Sequence, residues 1–257
     1  MTDKVKRRDF MKLSLAGLAS ATLAMQMKTG PHERGGGETS DHRWGMVIDM
    51  NACVGCGDCT VACQATNDVP PDISWNRVLE VDELEDETVY ATIPCMHCEN
   101  APCVGACPVG ATYHRADGIV MMDYDRCIGC RYCQMACPYG ARSFNWQAFT
   151  GKNPAVPANG SPEIERRPRG VVEKCSFCYQ RIDRGLELGL VPGVDHEATP
   201  ACVNACPVGA RFFGDLNDPE SPVSQKLATH TAFRLYEDKG TEPRVYYLPA
   251  HKDGGCA

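Results

Sequence analysis

The chain has 257 residues, a formal net charge of -7, and 24 glycines, 18 prolines and 17 cysteines. This length fits one or two domains, and an acidic chain without clustered lysines and arginines argues against nucleic acid as a partner. The one short basic run, Arg166-Arg167-Pro168-Arg169, is interrupted by proline and is predicted to be a solvated loop. The cysteines need a chemical explanation, since bound metal supplies folding energy where the apolar core is small.

Residues 1–29 have the form of a twin-arginine export signal. Lys6, Arg7 and Arg8 precede an uncharged stretch, Leu13–Met27, which is shorter than the roughly 20 apolar residues that span a bilayer. The alternative is a chance arginine pair ahead of an amphipathic helix. We expect twin-arginine export, a flexible linker over 30–44, and a peripheral protein in the periplasm or on the outer face of the cytoplasmic membrane.

Four repeats of one cysteine pattern follow the linker. The first and third match CxxCxxCxxxC, the ferredoxin run, whereas the second is stretched and the fourth is split by 23 residues. In chain order the groups are Cys53, Cys56, Cys59 and Cys63; Cys95, Cys98, Cys103 and Cys107; Cys127, Cys130, Cys133 and Cys137; and Cys175, Cys178, Cys202 and Cys206.

This spacing suits cubane iron-sulfur clusters. Three thiolates two residues apart can bind three corners of one cube, and Gly55, Gly57 and Gly129 let the loop backbone approach closely. The fourth cysteine of a run ligates the other cluster of a pair in two-cluster ferredoxins. The sequence therefore predicts four 4Fe-4S clusters with sixteen cysteine ligands, and Cys256 is predicted to bind none.

Cysteines at such spacings have three other known uses. Zinc also binds CxxC pairs, although three cysteines at two-residue spacing are a poor zinc pattern. A disulfide framework is possible in an exported chain, but four near-identical runs do not resemble one. Attached c-type haem is excluded, because no CxxC is followed by histidine.

Residues outside the cysteine pattern suggest no substrate chemistry. His97 is expected to pack or hydrogen-bond beside a cluster, and Tyr132, Tyr139 and Tyr179 are expected to shield clusters from water. The chain has no Walker loop, GxGxxG or GxSxG motif. We therefore expect no substrate catalysis by this chain itself.

Segments between the repeats have recognisable secondary-structure patterns. The predicted strands are Arg77–Val81 and Thr88–Ile93, around an acidic turn at Asp82–Glu87, with further strands at Gly118–Met122 and Arg244–Leu248. A helix with apolar residues at Ile182, Leu186 and Leu190 is predicted to end near Gly193, and another covers Pro222–Thr231. Phe144–Val172 is predicted to be a long surface loop suited to binding a partner.

The order of the repeats resembles the four-cluster iron-sulfur subunit family of polysulfide, dimethyl sulfoxide, tetrathionate and related molybdopterin oxidoreductases. Glu173-Lys174-Cys175 and the segment Phe213–Pro219 also match, and the resemblance covers Trp44 to Leu248. It implies an α+β fold with two tandem ferredoxin-like modules. The implied parts are an outer module (45–64 plus 171–215), a β-hairpin insertion (65–92), an inner module (93–142), a partner-binding loop (143–170), and a C-terminal helix and tail (216–257).

The same resemblance implies the ligand sets and the task. The implied sets are Cys53, Cys56, Cys59 and Cys206; Cys175, Cys178, Cys202 and Cys63; Cys95, Cys98, Cys103 and Cys137; and Cys127, Cys130, Cys133 and Cys107. The protein would relay electrons between a quinone-reactive integral membrane subunit and a large molybdopterin catalytic subunit acting on a sulfur compound or similar substrate. It would contact the membrane only through its partner.

Other functions remain open at this point. The same relay could serve a haem nitrite reductase or a quinol-oxidising respiratory complex. The chain could instead be an enzyme reducing a small oxidant at an exposed cluster, or a zinc-bound interaction module.

Overall fold

The computed structural model describes residues 40–84 and 87–250. The predicted signal, residues 30–39 of the linker, the tip of the acidic turn at 85–86 and Cys256 lie outside these ranges. The strands are β1 (Trp44–Asp49), β2 (Arg77–Leu84), β3 (Glu87–Ile93), β4 (Thr112–His114), β5 (Val120–Met122), β6 (Ser143–Phe144), β7 (Val172–Glu173), β8 (Arg211–Asp215) and β9 (Val245–Leu248). The helices are α1 (Asp58–Thr66), α2 (Pro102–Gly105), α3 (Tyr132–Ala136), α4 (Tyr179–Glu187), α5 (Ala201–Asn204) and α6 (Pro222–Thr229), with a 3-10 turn at Glu237–Lys239.

β1 is the middle strand of a three-stranded sheet. It pairs antiparallel with β8 and parallel with β9. Because strand side chains alternate between faces, Met46 and Ile48 enter the main core, while Val47 packs on the other face with Val223 of α6. Both faces of β1 are therefore buried, which explains its almost entirely apolar sequence.

The remaining strands form two-stranded ribbons. β2 pairs with β3, β4 with β5, and β6 with β7, all antiparallel. Strands are present at both β-leaning runs before the second repeat, but they continue into the acidic segment that was predicted to be a turn, and a bulge lies between Glu80 and Asp82. The strand predicted at Gly118–Met122 begins two residues later, at Val120.

The third cysteine of each repeat has the same position in the fold. It is the second residue of a short helix in all four repeats, at Cys59, Cys103, Cys133 and Cys202. All four thiols are buried. The first turn of a helix carries unpaired N–H groups and a partial positive charge, so it is a favourable place for a thiolate.

The prediction for α4 was wrong at its C-terminal end. The helix stops at Glu187, because Gly189 adopts a left-handed conformation with φ of +72°. The N–H of Gly189 then bonds the Leu186 carbonyl at 3.0 Å, and the N–H of Leu190 bonds the Gly185 carbonyl at 2.8 Å. These two bonds form a Schellman motif. Only Ile182 of the predicted apolar stripe is buried.

The segment predicted to be a surface loop, Phe144–Val172, is partly interior. Its ends belong to β6 and β7. Asn153 is buried, and its side-chain amide donates to the Val69 carbonyl at 2.9 Å. Arg167 is also buried and pairs with the buried carboxylate of Glu173 at 2.8 Å. The prediction that this basic run is solvated was therefore wrong at Arg167.

The C-terminal elements are slightly shorter than predicted. α6 begins after Ser221, whose hydroxyl accepts a hydrogen bond from the Ser224 N–H at 3.3 Å, and it ends at Thr229 rather than Thr231. β9 begins at Val245. In the part of the chain that the structure describes, no helix has the length and apolar character needed to cross a membrane.

Candidate metal centres

Cysteines of the first and fourth repeats line one cavity. Three thiols come from the loop before α1 and from its first turn, and the fourth follows α5; these are Cys53, Cys56, Cys59 and Cys206. Ile48, Val54 and Val78 make much of the remaining wall apolar, and Arg211 contributes a cation. Four thiols around one apolar space fit a cluster bound by cysteine alone.

Cysteines of the second and third repeats line a second cavity. The wall contains the first three cysteines of the second repeat and the last cysteine of the third, namely Cys95, Cys98, Cys103 and Cys137. Met96, Val120 and Tyr139 supply apolar surface, and Arg142 supplies a cation. The structure thus brings these two repeats together in the same crossed manner as the first and fourth.

Cys63, the last cysteine of the first repeat, lies among the first three of the fourth. Burial raises the pKa of its thiol well above the usual value, and the neighbouring thiols of Cys175, Cys178 and Cys202 raise it further. All four thiols are buried. These four cysteines form a third group, which combines the same two repeats as the first cavity.

The fourth group surrounds Cys133. The pKa of the Cys133 thiol is raised mainly by burial, and Arg142 partly opposes this change. The neighbouring thiols of Cys103, Cys107 and Cys127 raise the pKa further. Cys107, the last cysteine of the second repeat, thus lies close to the third repeat. Cys130 is an exposed thiol in the loop that precedes α3.

Burial disfavours the ionised form of several of these thiols and so raises their pKa. Burial raises the pKa of Cys98 and of Cys175 to about 12, and that of Cys178 to about 11, with neighbouring thiols contributing to each. Metal binding deprotonates a coordinating thiol, so iron would supply the missing compensation. The residues present fit four iron-sulfur clusters.

Hydrogen-bond donors are directed at several of these sulfurs. The side-chain amide of Asn76 donates to Cys59 Sγ at 3.0 Å. That of Asn67 lies 3.5 Å from Cys178 Sγ and 3.7 Å from Cys63 Sγ. Backbone N–H groups contribute as well, from Ala111 to Cys107 Sγ and from Ala210 to Cys206 Sγ, each at 3.2 Å. Such bonds set the potential of a bound cluster.

Two loop glycines are required by close approach. A Cβ at Gly55 would stand 2.5 Å from the Tyr90 ring, and one at Gly129 would stand 2.3 Å from the carbonyl oxygen of Gly170. Both have positive φ. Gly57 also has positive φ but meets nothing within 4 Å, so its role is to cap α1 in a left-handed conformation.

Buried cations beside the thiols were the feature that sequence analysis missed. Arg142 and Arg211 occupy the same position, directly after Cys-Pro-x-Gly-Ala, in the third and fourth repeats. Burial lowers the pKa of Arg142, but the thiolates of Cys103 and Cys133 outweigh that effect and raise it. The shared position in the two repeats was the available signal.

A third cation beside the thiols, Lys174, is fully buried. Its ammonium donates to the carbonyl of Cys175 at 2.7 Å and to the carbonyl of Val120. Burial lowers the pKa of Lys174, and the nearby thiolate of Cys95 offsets that change only in part. Arg131, by contrast, stacks on Trp146 with its guanidinium carbon 4.6 Å from the ring centre, at the surface.

His97 packs beside the cysteines as expected. Its ring is fully buried and stacks on Phe177 at 3.8 Å between centroids. Nδ1 accepts a hydrogen bond from the Val120 N–H at 3.1 Å. Tyr139 is buried, whereas Tyr132 is 62% exposed and leaves little of its ring to shield a cluster.

Three stretches of the chain match iron-sulfur family profiles. Residues 44–65 match a 4Fe-4S binding domain, and residues 87–153 and 126–210 each match a 4Fe-4S dicluster domain. Together with the four cysteine groups, these matches define a ferredoxin-type iron-sulfur protein whose cofactors are four 4Fe-4S clusters.

Comparison with known proteins identifies the family. The chain is 43% identical over 226 residues to the iron-sulfur cluster-binding subunit of menaquinone reductase from Nitratidesulfovibrio vulgaris, covering 80% of this chain and 88% of that one. It is 36% identical over 219 residues to a subunit of polysulfide reductase from Wolinella succinogenes, covering 83% and 97%. It is 35% identical over 255 residues to a subunit of tetrathionate reductase from Salmonella typhimurium, covering 96% and 88%.

The chain therefore belongs to the family of four-cluster iron-sulfur subunits of polysulfide, dimethyl sulfoxide, tetrathionate and related molybdopterin oxidoreductases. Electron relay within a multi-subunit oxidoreductase is the function of this family. The family resemblance and the electron-relay function that it implied are confirmed.

Proposed function

We propose that the four clusters are held by the crossed ligand sets, in an outer module of residues 45–64 plus 171–215 and an inner module of residues 93–142. The two cavities support two of the sets, since each is lined by four thiols from two different repeats. The thiols of Cys175, Cys178 and Cys202 lie close enough to Cys63 to raise its pKa, which supports the third set. The grouping of Cys133 with Cys107 and Cys127 supports the fourth.

These sets follow one another as a linear path. Arg211 lies near Cys59 of the first set and near Cys202 of the set that includes Cys175. Cys175 in turn lies near Cys95, and the Cys95 set adjoins the last set through the proximity of Cys103 to Cys133. In this order the path runs from the Cys53 set to the Cys175 set, then to the Cys95 set and finally to the Cys127 set.

The main support for the proposal is the solvent exposure of the thiols along this path. Each terminal set contains an exposed thiol, Cys56 at one end and Cys130 at the other. Every thiol of the Cys175 set is buried, and so are three of the four in the Cys95 set. A bound 4Fe-4S cluster accepts and returns one electron at a time. The protein keeps the middle of the path from water and opens both ends to partners.

Both ends carry apolar surface for such partners. Val54 and Val61 are exposed beside the first set. Beside the last set, Ile128, Trp146 and Met135 are exposed, and Met135 reaches 84% exposure. Exposed apolar side chains grouped beside a functional site mark protein contacts. We assign one end to the large molybdopterin subunit and the other to the quinone-reactive membrane subunit.

Export is a further part of the proposal. The twin-arginine pattern at Arg7 and Arg8 supports passage of the loaded, folded chain across the membrane to the periplasmic or outer face, where it remains peripheral. Replacing both arginines by lysine is expected to keep the protein in the cytoplasm, as measured by cell fractionation. Full export of the double variant would exclude this route.

Metal content of the native complex tests the catalytic partner. We expect the complex purified from membranes through this chain to contain molybdenum or tungsten in equal amount to the chain, with more than the sixteen iron atoms of four 4Fe-4S clusters. Iron and haem without either metal would contradict a molybdopterin partner and would favour a relay to a haem nitrite reductase or to a quinol-oxidising respiratory complex.

Relatives named for quinol chemistry support a second candidate, a quinol-oxidising respiratory complex. One is the menaquinone reductase subunit, and another is the Hdr-like menaquinol oxidoreductase iron-sulfur subunit 1 of Archaeoglobus fulgidus, 37% identical over 276 residues. This candidate predicts reduction of the clusters by menaquinol in a complex that lacks molybdenum and tungsten. The metal determination described above therefore separates the two.

Surface variants test the two ends. Val61→Glu and Met135→Glu each place a charge on one exposed apolar patch without touching a cysteine. We expect each variant to release a different subunit from the purified complex while retaining its iron. Release of the same subunit by both would contradict the assignment of one partner to each end.

A further inference from the structure

Each gap between successive cysteine sets contains one buried cation. Arg211, Lys174 and Arg142 occupy the first, second and third gaps, and all three residues are buried. Burying an uncompensated charge is costly, so each of these positions needs a partner of opposite charge. The thiolate sets on either side of each gap can supply it.

Arg211 touches both of its neighbouring sets. Its Nη2 lies 3.5 Å from Cys202 Sγ, and its Nη1 donates to the Asn76 side-chain oxygen at 3.2 Å. The same Asn76 side chain donates to Cys59 Sγ at 3.0 Å. The first gap is therefore spanned by a continuous chain of contacts from one set to the next.

Arg142 holds the corresponding place in the third gap. It lines the cavity that contains Cys95 and Cys103, and its thiolate partners also include Cys133 of the last set. Its Nη1 donates to the Thr112 hydroxyl at 3.3 Å, which fixes the guanidinium between β4 and the cysteines. Arg142 and Arg211 thus have the same position in sequence and equivalent positions in space.

Lys174 fills the middle gap, where the chain offers no equivalent arginine position. Its two hydrogen-bond acceptors are the neutral carbonyls of Cys175 and Val120. Cys175 belongs to one set, and Val120 lines the cavity of the Cys95 set. The ammonium therefore lies beside both sets. Its two hydrogen-bond acceptors are uncharged, so they do not neutralise its positive charge.

We propose that Lys174 is a positioning residue for electron transfer across the middle gap, because its fixed charge favours the reduced state of the clusters on both sides. Reduction adds negative charge to a cluster, and a nearby cation in a low-dielectric interior stabilises that added charge. Without the ammonium, the two middle clusters become harder to reduce than they are in the native protein. Electrons then face a less favourable step from a terminal cluster to its middle neighbour.

This inference rests on the proposed ligand sets, and the experiment separates the two. The full chain is purified as Lys174→Met, which keeps a long unbranched side chain without the ammonium, and as Lys174→Gln, which keeps hydrogen-bond donors without the charge. All four clusters are titrated by EPR at controlled potentials. Separate Cys175→Ser and Cys95→Ser variants identify the signals of the two middle sets. A wrong ligand assignment would be detected in these cysteine variants, independently of the effect of Lys174.

We expect both neutral variants to shift the oxidised-to-reduced ratio of the two middle clusters by about tenfold at a given potential, equivalent to lowering each potential by about 59 mV. The terminal clusters should shift by less than about twofold, because they lie beyond the nearest sets. Equal shifts in all four clusters, or no shift with iron content intact, would overturn the proposal. A shift in the Met variant alone would overturn it as well, since hydrogen bonding rather than charge would then be responsible.

Two further variants complete the test. Arg244→Met removes a buried cation that pairs with Glu99 and the Asp117 carbonyl rather than with a thiol, and it should leave all four potentials within about twofold of the native ratios. If both neutral Lys174 variants lose iron, Lys174→Arg restores the charge and should restore four clusters at native potentials. Loss of clusters in that variant too would show that the site requires lysine for packing, which overturns the proposal.

Discussion

Replacing Cys63 by serine asks whether a cysteine of the first repeat serves the cluster of the fourth. The thiol is buried, and Asn67 is the amide directed at it, 3.7 Å from the sulfur. A serine hydroxyl ionises far less readily than a thiol, and this interior site offers little water to replace the lost ligand. We therefore expect the fourth ligand of one cluster to be lost and the other three clusters to be retained.

The size of the effect follows from the ligand count. Losing one iron from one cluster lowers the content from about 16 to about 15 atoms per chain, and losing the whole cluster lowers it to about 12. Iron determination gives this number, and EPR of the oxidised protein detects the signal of a three-iron cluster. Because Cys63 lies among buried thiols that include Cys178, Cys178→Ser should alter the same signal.

The matched comparison is Cys56→Ser, which changes a cysteine of the same repeat. On the crossed assignment it should alter a different signal, that of the cluster next to Cys206. If the signal lost in Cys63→Ser were the same as that lost in Cys56→Ser, the first repeat would bind one cluster by itself. The crossed arrangement would then be refuted for the outer module.

Three further changes have defined outcomes. Asn76→Leu removes the amide donor 3.0 Å from Cys59 Sγ and should lower the potential of that cluster by roughly 60 mV, a tenfold change in a one-electron equilibrium, as seen in an EPR titration. Arg167→Met leaves Glu173 buried without its ion-pair partner, which costs about 3–5 kcal/mol and should speed the loss of cluster absorbance in urea. Gly193→Ala combines a φ of +97° with a Cβ only 2.0 Å from a backbone carbonyl oxygen, and should lower the free energy of unfolding by more than the about 1–3 kcal/mol of backbone strain alone, as measured by thermal unfolding.

Each of these has a matched control in the same chain. Asn100→Leu removes an exposed amide that bonds only to the Gly240 and Glu242 region and should leave the potentials unchanged. Arg184→Met breaks an exposed ion pair, which is worth at most about 1 kcal/mol. Gly189→Ala places a side chain at a φ of +72°, also in the left-handed region, without a steric contact. Equal effects in a variant and its control would contradict the stated cause.

The parts of the site that could be predicted from sequence are local. Three cysteines at two-residue spacing share one loop and the first turn of one helix, so their grouping follows from chain geometry, and the position of Cys103 in α2 matches that of Cys59 in α1. Which repeats meet is decided by tertiary packing. The nearness of Cys206 to Cys53 could be stated beforehand only from a family resemblance.

The sequence-based predictions were wrong where contacts made in the folded protein determined burial or the end of a helix. Arg167 stands in a basic run interrupted by proline, which usually indicates solvent exposure, yet Glu173 on β7 compensates it inside the protein. The end of α4 was misplaced because two glycines were available. Hydrogen bonds to Gly189, rather than any difference in composition, decided in favour of the earlier one.

The position of β1 has a consequence for biosynthesis. This strand, at Trp44–Asp49, lies between β8 and β9, and its partners end only at Leu248. While the ribosome is still making the middle of the chain, β1 has nothing to pair with, whereas residues 95–137 have all been synthesised. The inner cysteine groups can thus collect iron early, and the outer groups close last.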